Sequence, residues 1–118
     1  MPATGPITVV ETPEFLSAIR GLMTEAQRMT LVDYLAHNPT AGNLIKVTGG
    51  VRKLRWALDG RGKSGGARVI YFYHNADVPL FALTAYAKNE RVDLTQQDRN
   101  NFRQLTSLLA ETYGKTKR

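Results

Sequence analysis

Arg68-Val69-Ile70-Tyr71-Phe72-Tyr73 is the stretch on which the fold turns. Its β-branched and aromatic residues suit a pleated, half-buried surface, so it reads as a strand. Downstream, His74-Asn75-Ala76-Asp77-Val78-Pro79 is a turn by composition, and Leu80-Phe81-Ala82-Leu83-Thr84-Ala85-Tyr86-Ala87 makes the next strand. Upstream, Gly49-Gly50 punctuates the chain, Val51-Arg52-Lys53-Leu54-Arg55-Trp56-Ala57 reads as a strand, and a glycine-rich basic loop runs from Gly60 to Gly66. Three strands in succession predict an antiparallel meander whose first hairpin has a long loop.

Two nucleotide-binding fingerprints fail on the same strand assignment. Gly60-Arg61-Gly62-Lys63-Ser64-Gly65 satisfies G-x-G-x-x-G, and Ala57 through Ser64 is one residue from G-x-x-x-x-G-K-S. Both need a helix immediately after the glycines, because its N-terminus and successive N–H groups hold the phosphates. Here a strand follows. The loop is then either a plain hairpin connection or a basic arm whose Arg61 and Lys63 touch phosphate.

Outward from the meander the period changes from two to that of a helix. Ile7-Thr8-Val9-Val10-Glu11 is a β-branched run ended by Thr12-Pro13. Thr12 suits a helix cap with Pro13 at the first helical position, and Phe15, Leu16, Ile19 and Leu22 follow at helical spacing to about Gly21. A second helix begins near Thr24, carries Met29, Leu31, Val32 and Leu35, and stops at Asn38-Pro39. Near the other end, Thr95 with Asp98 resembles a capping box before a helix striped by Phe102, Leu105, Leu108 and Leu109. The expected fold class is α+β, a small antiparallel sheet with two N-terminal helices packed on one face and a C-terminal helix. One domain spanning 1–118 is expected, with 1–6 and 115–118 flexible.

The chain has 118 residues, 42% of them hydrophobic, enough for one compact core. Sixteen Lys and Arg against ten Asp and Glu leave a net charge of +6, which in a small domain favours a polyanionic partner, nucleic acid or ribosome. No cysteine is present, which excludes disulfide scaffolds, thiolate zinc sites and cysteine nucleophiles. No apolar run approaches the ~20 residues that cross a bilayer, and the N-terminus does not look like a signal peptide, so a cytoplasmic protein with no membrane partner is expected.

Strand alternation places Lys53 and Arg55 opposite Leu54 and Trp56, with Arg52 alongside in the chain. On the last strand, Thr84, Tyr86 and Lys88 fall opposite Phe81, Leu83, Ala85 and Ala87. Tyr71 and Tyr73 are expected to join the cationic face, leaving Ile70 and Phe72 for the helices. That parity sends Arg68 to the core side, so either the Gly65-Gly66 segment bulges and re-aims Arg68 or this strand faces the other way. A surface of cations and tyrosines suits single-stranded RNA, since aromatic stacking contributes roughly 1–3 kcal/mol per base.

Cleavage needs more: a 2′-hydroxyl must lose a proton, a 5′-oxygen must gain one, and charge on the pentacoordinate phosphorus must be offset. His37 and His74 lie near a helix end and in a turn, where structural roles suit them better. Lysine and tyrosine remain for the proton steps, and arginine for bidentate phosphate contact. No cluster of His, Asp and Glu has metal-ligand spacing, so neither a metal nor another cofactor is expected.

Three motifs together resemble the HigB branch of RelE-type toxins. They are Gly49-Gly50-Val51-Arg52-Lys53-Leu54-Arg55, then Gly62-Lys63-Ser64-Gly65-Gly66-Ala67-Arg68-Val69-Ile70-Tyr71, then Tyr86-Ala87-Lys88-Asn89-Glu90 with Asp93-Leu94. The order of elements is also similar to that family's. The resemblance implies a toxin of a type II toxin–antitoxin pair, a ribosome-dependent, metal-independent endoribonuclease cutting translated mRNA and neutralised by a cognate antitoxin. It implies phosphate-binding roles for Lys53, Arg55 and Arg68, and more loosely a role for Lys88. Where some relatives carry a catalytic tyrosine this chain has Leu94, and Tyr86 is the substitute it offers. Arg52, Arg61, Lys63, Tyr71 and Tyr73 complete the expected RNA- and ribosome-binding set. Two other functions are compatible with such a chain: a ParE-like inhibitor of DNA gyrase, and an RNA-binding module without catalysis.

Overall fold

The computed structural model describes residues 5–58, 66–90 and 94–115. Strand β1 (Val9–Glu11) leads to helices α1 (Pro13–Arg20) and α2 (Glu25–His37). Strands β2 (Asn43–Leu44), β3 (Val51–Trp56), β4 (Ala67–Phe72) and β5 (Leu80–Ala87) follow, then a 3₁₀ turn at Lys88–Glu90 and helix α3 (Gln96–Lys115). The strands form one sheet in the order β1-β5-β4-β3-β2.

The antiparallel meander of β3, β4 and β5 forms as expected, and β2 pairs antiparallel with the outer edge of β3. β1 adds to β5 in parallel, so the sheet is mixed. No hairpin joins these two strands, and only a hairpin would have forced them antiparallel.

Side-chain caps set the helix starts. The Thr12 hydroxyl accepts the Phe15 N–H ahead of Pro13, and Thr24 and Gln27 form a reciprocal box on α2. Thr95 and Asp98 make the same exchange before α3, each side chain accepting the other's backbone N–H at 3.0 Å. Arg28 on α2 pairs with both Glu25 and Glu11, tying the helix to β1.

Both sheet faces are covered. Phe15 and Ile19 of α1 and Leu31 and Leu35 of α2 pack on Leu54, Val69, Tyr71, Leu80, Ala82 and Ala85. On the other face, Phe102, Leu109 and Ala110 of α3 pack on Val51, Ile70, Phe72, Phe81, Leu83 and Tyr86. Leu105 and Leu108, expected in the buried stripe, are exposed instead. The helix turns Thr106 inward, and its hydroxyl donates to the Thr48 carbonyl at 2.8 Å.

The facing of β4 is the reverse of the sequence expectation: Val69 and Tyr71 meet α1 and α2, while Arg68, Ile70 and Phe72 point towards α3. Alternation did the ordering, and the choice between the two ends of the pattern required a helix on each face. A β-bulge also interrupts β5. Ile70 pairs with Thr84 but Tyr71 with Ala82, so Leu83 is the extra residue. Phe81, Leu83 and Tyr86 therefore share a face, opposite Ala82 and Ala85, which simple alternation over Phe81, Leu83, Ala85 and Ala87 does not provide.

Candidate nucleic-acid interface

The α3 face of the meander is built from three cross-strand rungs. Val51, Phe72 and Phe81 form the first, Lys53, Ile70 and Thr84 the second, and Arg55, Arg68 and Tyr86 the third. Polarity rises along the series. α3 covers the apolar rung, with the Tyr113 ring 5.3 Å from that of Phe81. Beyond it Lys53 and Arg68 are half-buried and Arg55 is exposed.

Arg55 and Arg68 are direct register partners, so two guanidinium-bearing stems rise side by side from one face. Among the described residues, neither pairs with a carboxylate. Like charges placed opposite each other cost stability, and a bound anion relieves that cost. Tyr86 completes the rung from β5; its ring is only 7% exposed and belongs to the core beneath the cations. The bulge in β5 is what brings Tyr86 to this face.

Lys88 stands at the same end of the sheet. Its backbone N–H donates to the Gly66 carbonyl at 3.0 Å, which ties the end of β5 to the start of β4. The Ala87 N–H donates to the Glu90 carboxylate, closing the 3₁₀ turn. The side chain of Lys88 is exposed. Lys53, Arg55, Arg68 and Tyr86 are thus brought together on one face, and Lys88 follows at the end of its last strand.

Three residues expected on the cationic surface lie elsewhere. Arg52 projects to the helix side, where its guanidinium donates to the carbonyls of Gly42, at 2.8 Å, and Thr40. Tyr71, its register partner, is fully buried; its hydroxyl donates to the Pro39 carbonyl and accepts the Gly42 N–H, each at 2.8 Å. Burial pushes the Tyr71 phenol above its ordinary pKa. Tyr73 is half-buried against the α1/α2 core. For Tyr71 and Tyr73 the cause is the facing of β4, whose odd-numbered positions go to α1 and α2, while Arg52 shares the side of Leu54 and Trp56 on β3. Arg52 and Tyr71 instead brace the 39–42 segment that leads into β2. Arg61 and Lys63 lie outside the described residues, as does Asp93.

His37 sits with its Nδ1 2.9 Å from the Asp33 carbonyl on α2, and His74 stacks on Phe72, at the end of the face remote from the arginines. Leu94 is buried ahead of α3. Thr84, expected with Tyr86 and Lys88, stands on the Lys53 rung, where it is buried. No group of His, Cys, Asp and Glu among the described residues could hold a metal ion. No helix among them is long and apolar enough to cross a membrane.

A rung with two arginines opposed and Lys53 on the rung beside it can hold a phosphodiester: guanidinium groups bind its oxygens bidentately, with the Tyr86 ring packed beneath them. A family model described as the RelE toxin of the RelE/RelB toxin–antitoxin system matches residues 34–116, from the second helix to the end of the last.

Proposed function

The chain belongs to the RelE toxin family of toxin–antitoxin systems, and from that premise we propose that it is a HigB-like, ribosome-dependent, metal-independent endoribonuclease that cuts translated mRNA in the cytoplasm. A cognate antitoxin is its inhibitor. The observation that carries this reading is the Arg55–Arg68 pair, two opposed cations on one sheet face without a described acidic partner.

In the proposed reaction the 2′-oxygen of one nucleotide attacks the adjacent phosphorus and the bond from phosphorus to the 5′-oxygen breaks. One proton leaves the 2′-hydroxyl and one reaches the departing 5′-oxygen, giving a 2′,3′-cyclic phosphate and a free 5′-hydroxyl. Arg55 and Arg68 bind the non-bridging oxygens and offset the charge that grows on them in the transition state. Lys53 and Lys88 extend the cationic surface along the RNA backbone, and Tyr86 is the proton-transfer group of the rung. The net charge of +6 favours approach to the ribosome, itself a polyanion.

Primer extension on mRNA from cells expressing the chain without its antitoxin tests this. New 5′ ends confined to translated transcripts are expected, and Arg68→Ala or Lys88→Ala should abolish them while leaving the fold intact. Intact mRNA together with broken DNA would replace the nuclease by a gyrase inhibitor, and full cutting by both variants would refute the site.

A further inference from the structure

Thr12 does two things at once. Its hydroxyl oxygen accepts the Phe15 N–H as the cap of α1, at 3.2 Å. The same hydroxyl faces the carbonyls of Ala82, at 2.9 Å, and Leu83, at 3.2 Å, and gives its proton there. The Thr12 N–H also donates to the Ala82 carbonyl. These two carbonyls flank the peptide that enters and leaves the extra residue of the β5 bulge.

The bulge decides which way Tyr86 points. Ala82 faces α1 and α2, and strict alternation from it would send residues 84 and 86 to that same side. The extra residue reverses the parity, so Thr84 and Tyr86 join the face of Lys53 and Arg68. A bulge leaves ladder groups without their cross-strand partner, and it persists where something else satisfies them. The Thr12 hydroxyl reaches the carbonyls on both sides of the extra residue, from 70 residues away in the chain for Ala82 and 71 for Leu83.

We infer that Thr12 is a positioning residue: its hydroxyl holds the β5 bulge and thereby fixes Tyr86 on the cationic face. The inference rests on the nuclease reading above for its consequence in activity, but the link from Thr12 to the bulge stands on hydrogen bonds and register alone. It also couples the start of α1 to the site, because one hydroxyl serves both.

Thr12→Asp separates the two duties, since a carboxylate still caps a helix but has no proton to give a carbonyl. Amide exchange at residues 83–86 should become several-fold faster in this variant, the size of effect one lost hydrogen bond produces, with exchange in α1 unchanged. In ribosome-dependent cleavage kcat should fall by about 10²-fold, the scale of a 1 Å misplacement, with KM unchanged. Thr12→Ser, which keeps the hydroxyl, should restore both readouts. In a Tyr86→Phe background Thr12→Asp should add little. If Thr12→Asp folds poorly, Thr12→Gly carries the same comparison, because glycine caps a helix nearly as well while lacking the hydroxyl.

Unchanged exchange at 83–86 in these variants would overturn the inference, as would an equal loss of activity with and without the Tyr86 hydroxyl. If instead the wild-type chain cuts no mRNA while exchange responds as expected, the nuclease reading fails and the hold of Thr12 on the bulge survives.

Discussion

Arg55 on β3 and Arg68 on β4 stand directly opposite each other on one face of the sheet, and no described carboxylate pairs with either. Cross-strand pairs are worth roughly 0.2–1 kcal/mol, and like charges take that value with the unfavourable sign. Replacing exposed Arg55 by Gln should therefore raise stability by an amount in that range in dilute, phosphate-free buffer. Pyrophosphate should stabilise the wild-type chain more than Arg55→Gln when thermal unfolding is followed at constant ionic strength. Equal stabilisation of the two would mean that no anion site exists at the rung.

Tyr71 is a bracing residue. Tyr71→Phe leaves the Gly42 N–H and the Pro39 carbonyl without their partner, at a cost of about 1–3 kcal/mol in urea unfolding. Its folded pKa is raised, so the neutral phenol is favoured by folding. That contribution is complete below the ordinary tyrosine pKa of about 10 and is lost as pH rises through the folded value. Wild-type stability should thus fall above about pH 10 more steeply than that of Tyr71→Phe. Cleavage by the folded variant should be unaffected, and a large loss of kcat would restore Tyr71 to the site.

Gly49 is held at φ +78° with no room for a side chain: a Cβ there would lie 2.3 Å from the Thr106 hydroxyl oxygen. Gly49→Ala should cost about 1–3 kcal/mol through backbone strain alone, and the clash should push α3 from the β2–β3 turn. A double-mutant cycle with Thr106→Ala should show the two changes to be non-additive, since Thr106→Ala removes the clashing atom. Strict additivity would show that α3 does not rest on this turn.

Val47, in the same turn, has φ 65° although it is β-branched, and its side chain is 52% exposed. Little packing is at stake, so Val47→Asn should stabilise the protein by up to about 1 kcal/mol by relieving the left-handed strain. A loss of stability in the same unfolding assay would show that Val47 makes contacts that outweigh the strain.

Local chemistry wrote much of this protein into its sequence. The Thr12-Pro13, Thr24 and Thr95/Asp98 signals start the three helices where they form, because a cap and its helix are only three residues apart. The meander was legible from runs such as Arg68 to Tyr73, and the pairing of Lys53 with Arg55 followed from alternation within a single strand. What alternation cannot supply is which of two faces a strand turns to a given helix, or where one extra residue reverses the pattern. Those depend on partners distant in the chain: α3 at the far end of the chain gives β4 a second core to face, and Thr12 meets the β5 bulge from the end of its neighbour β1. The chain's basic character and its strands were thus determined by the order of residues. The gathering of Arg55, Arg68 and Tyr86 into one rung was decided by tertiary structure, because only packing on both faces of the sheet sets the facing and register of its strands.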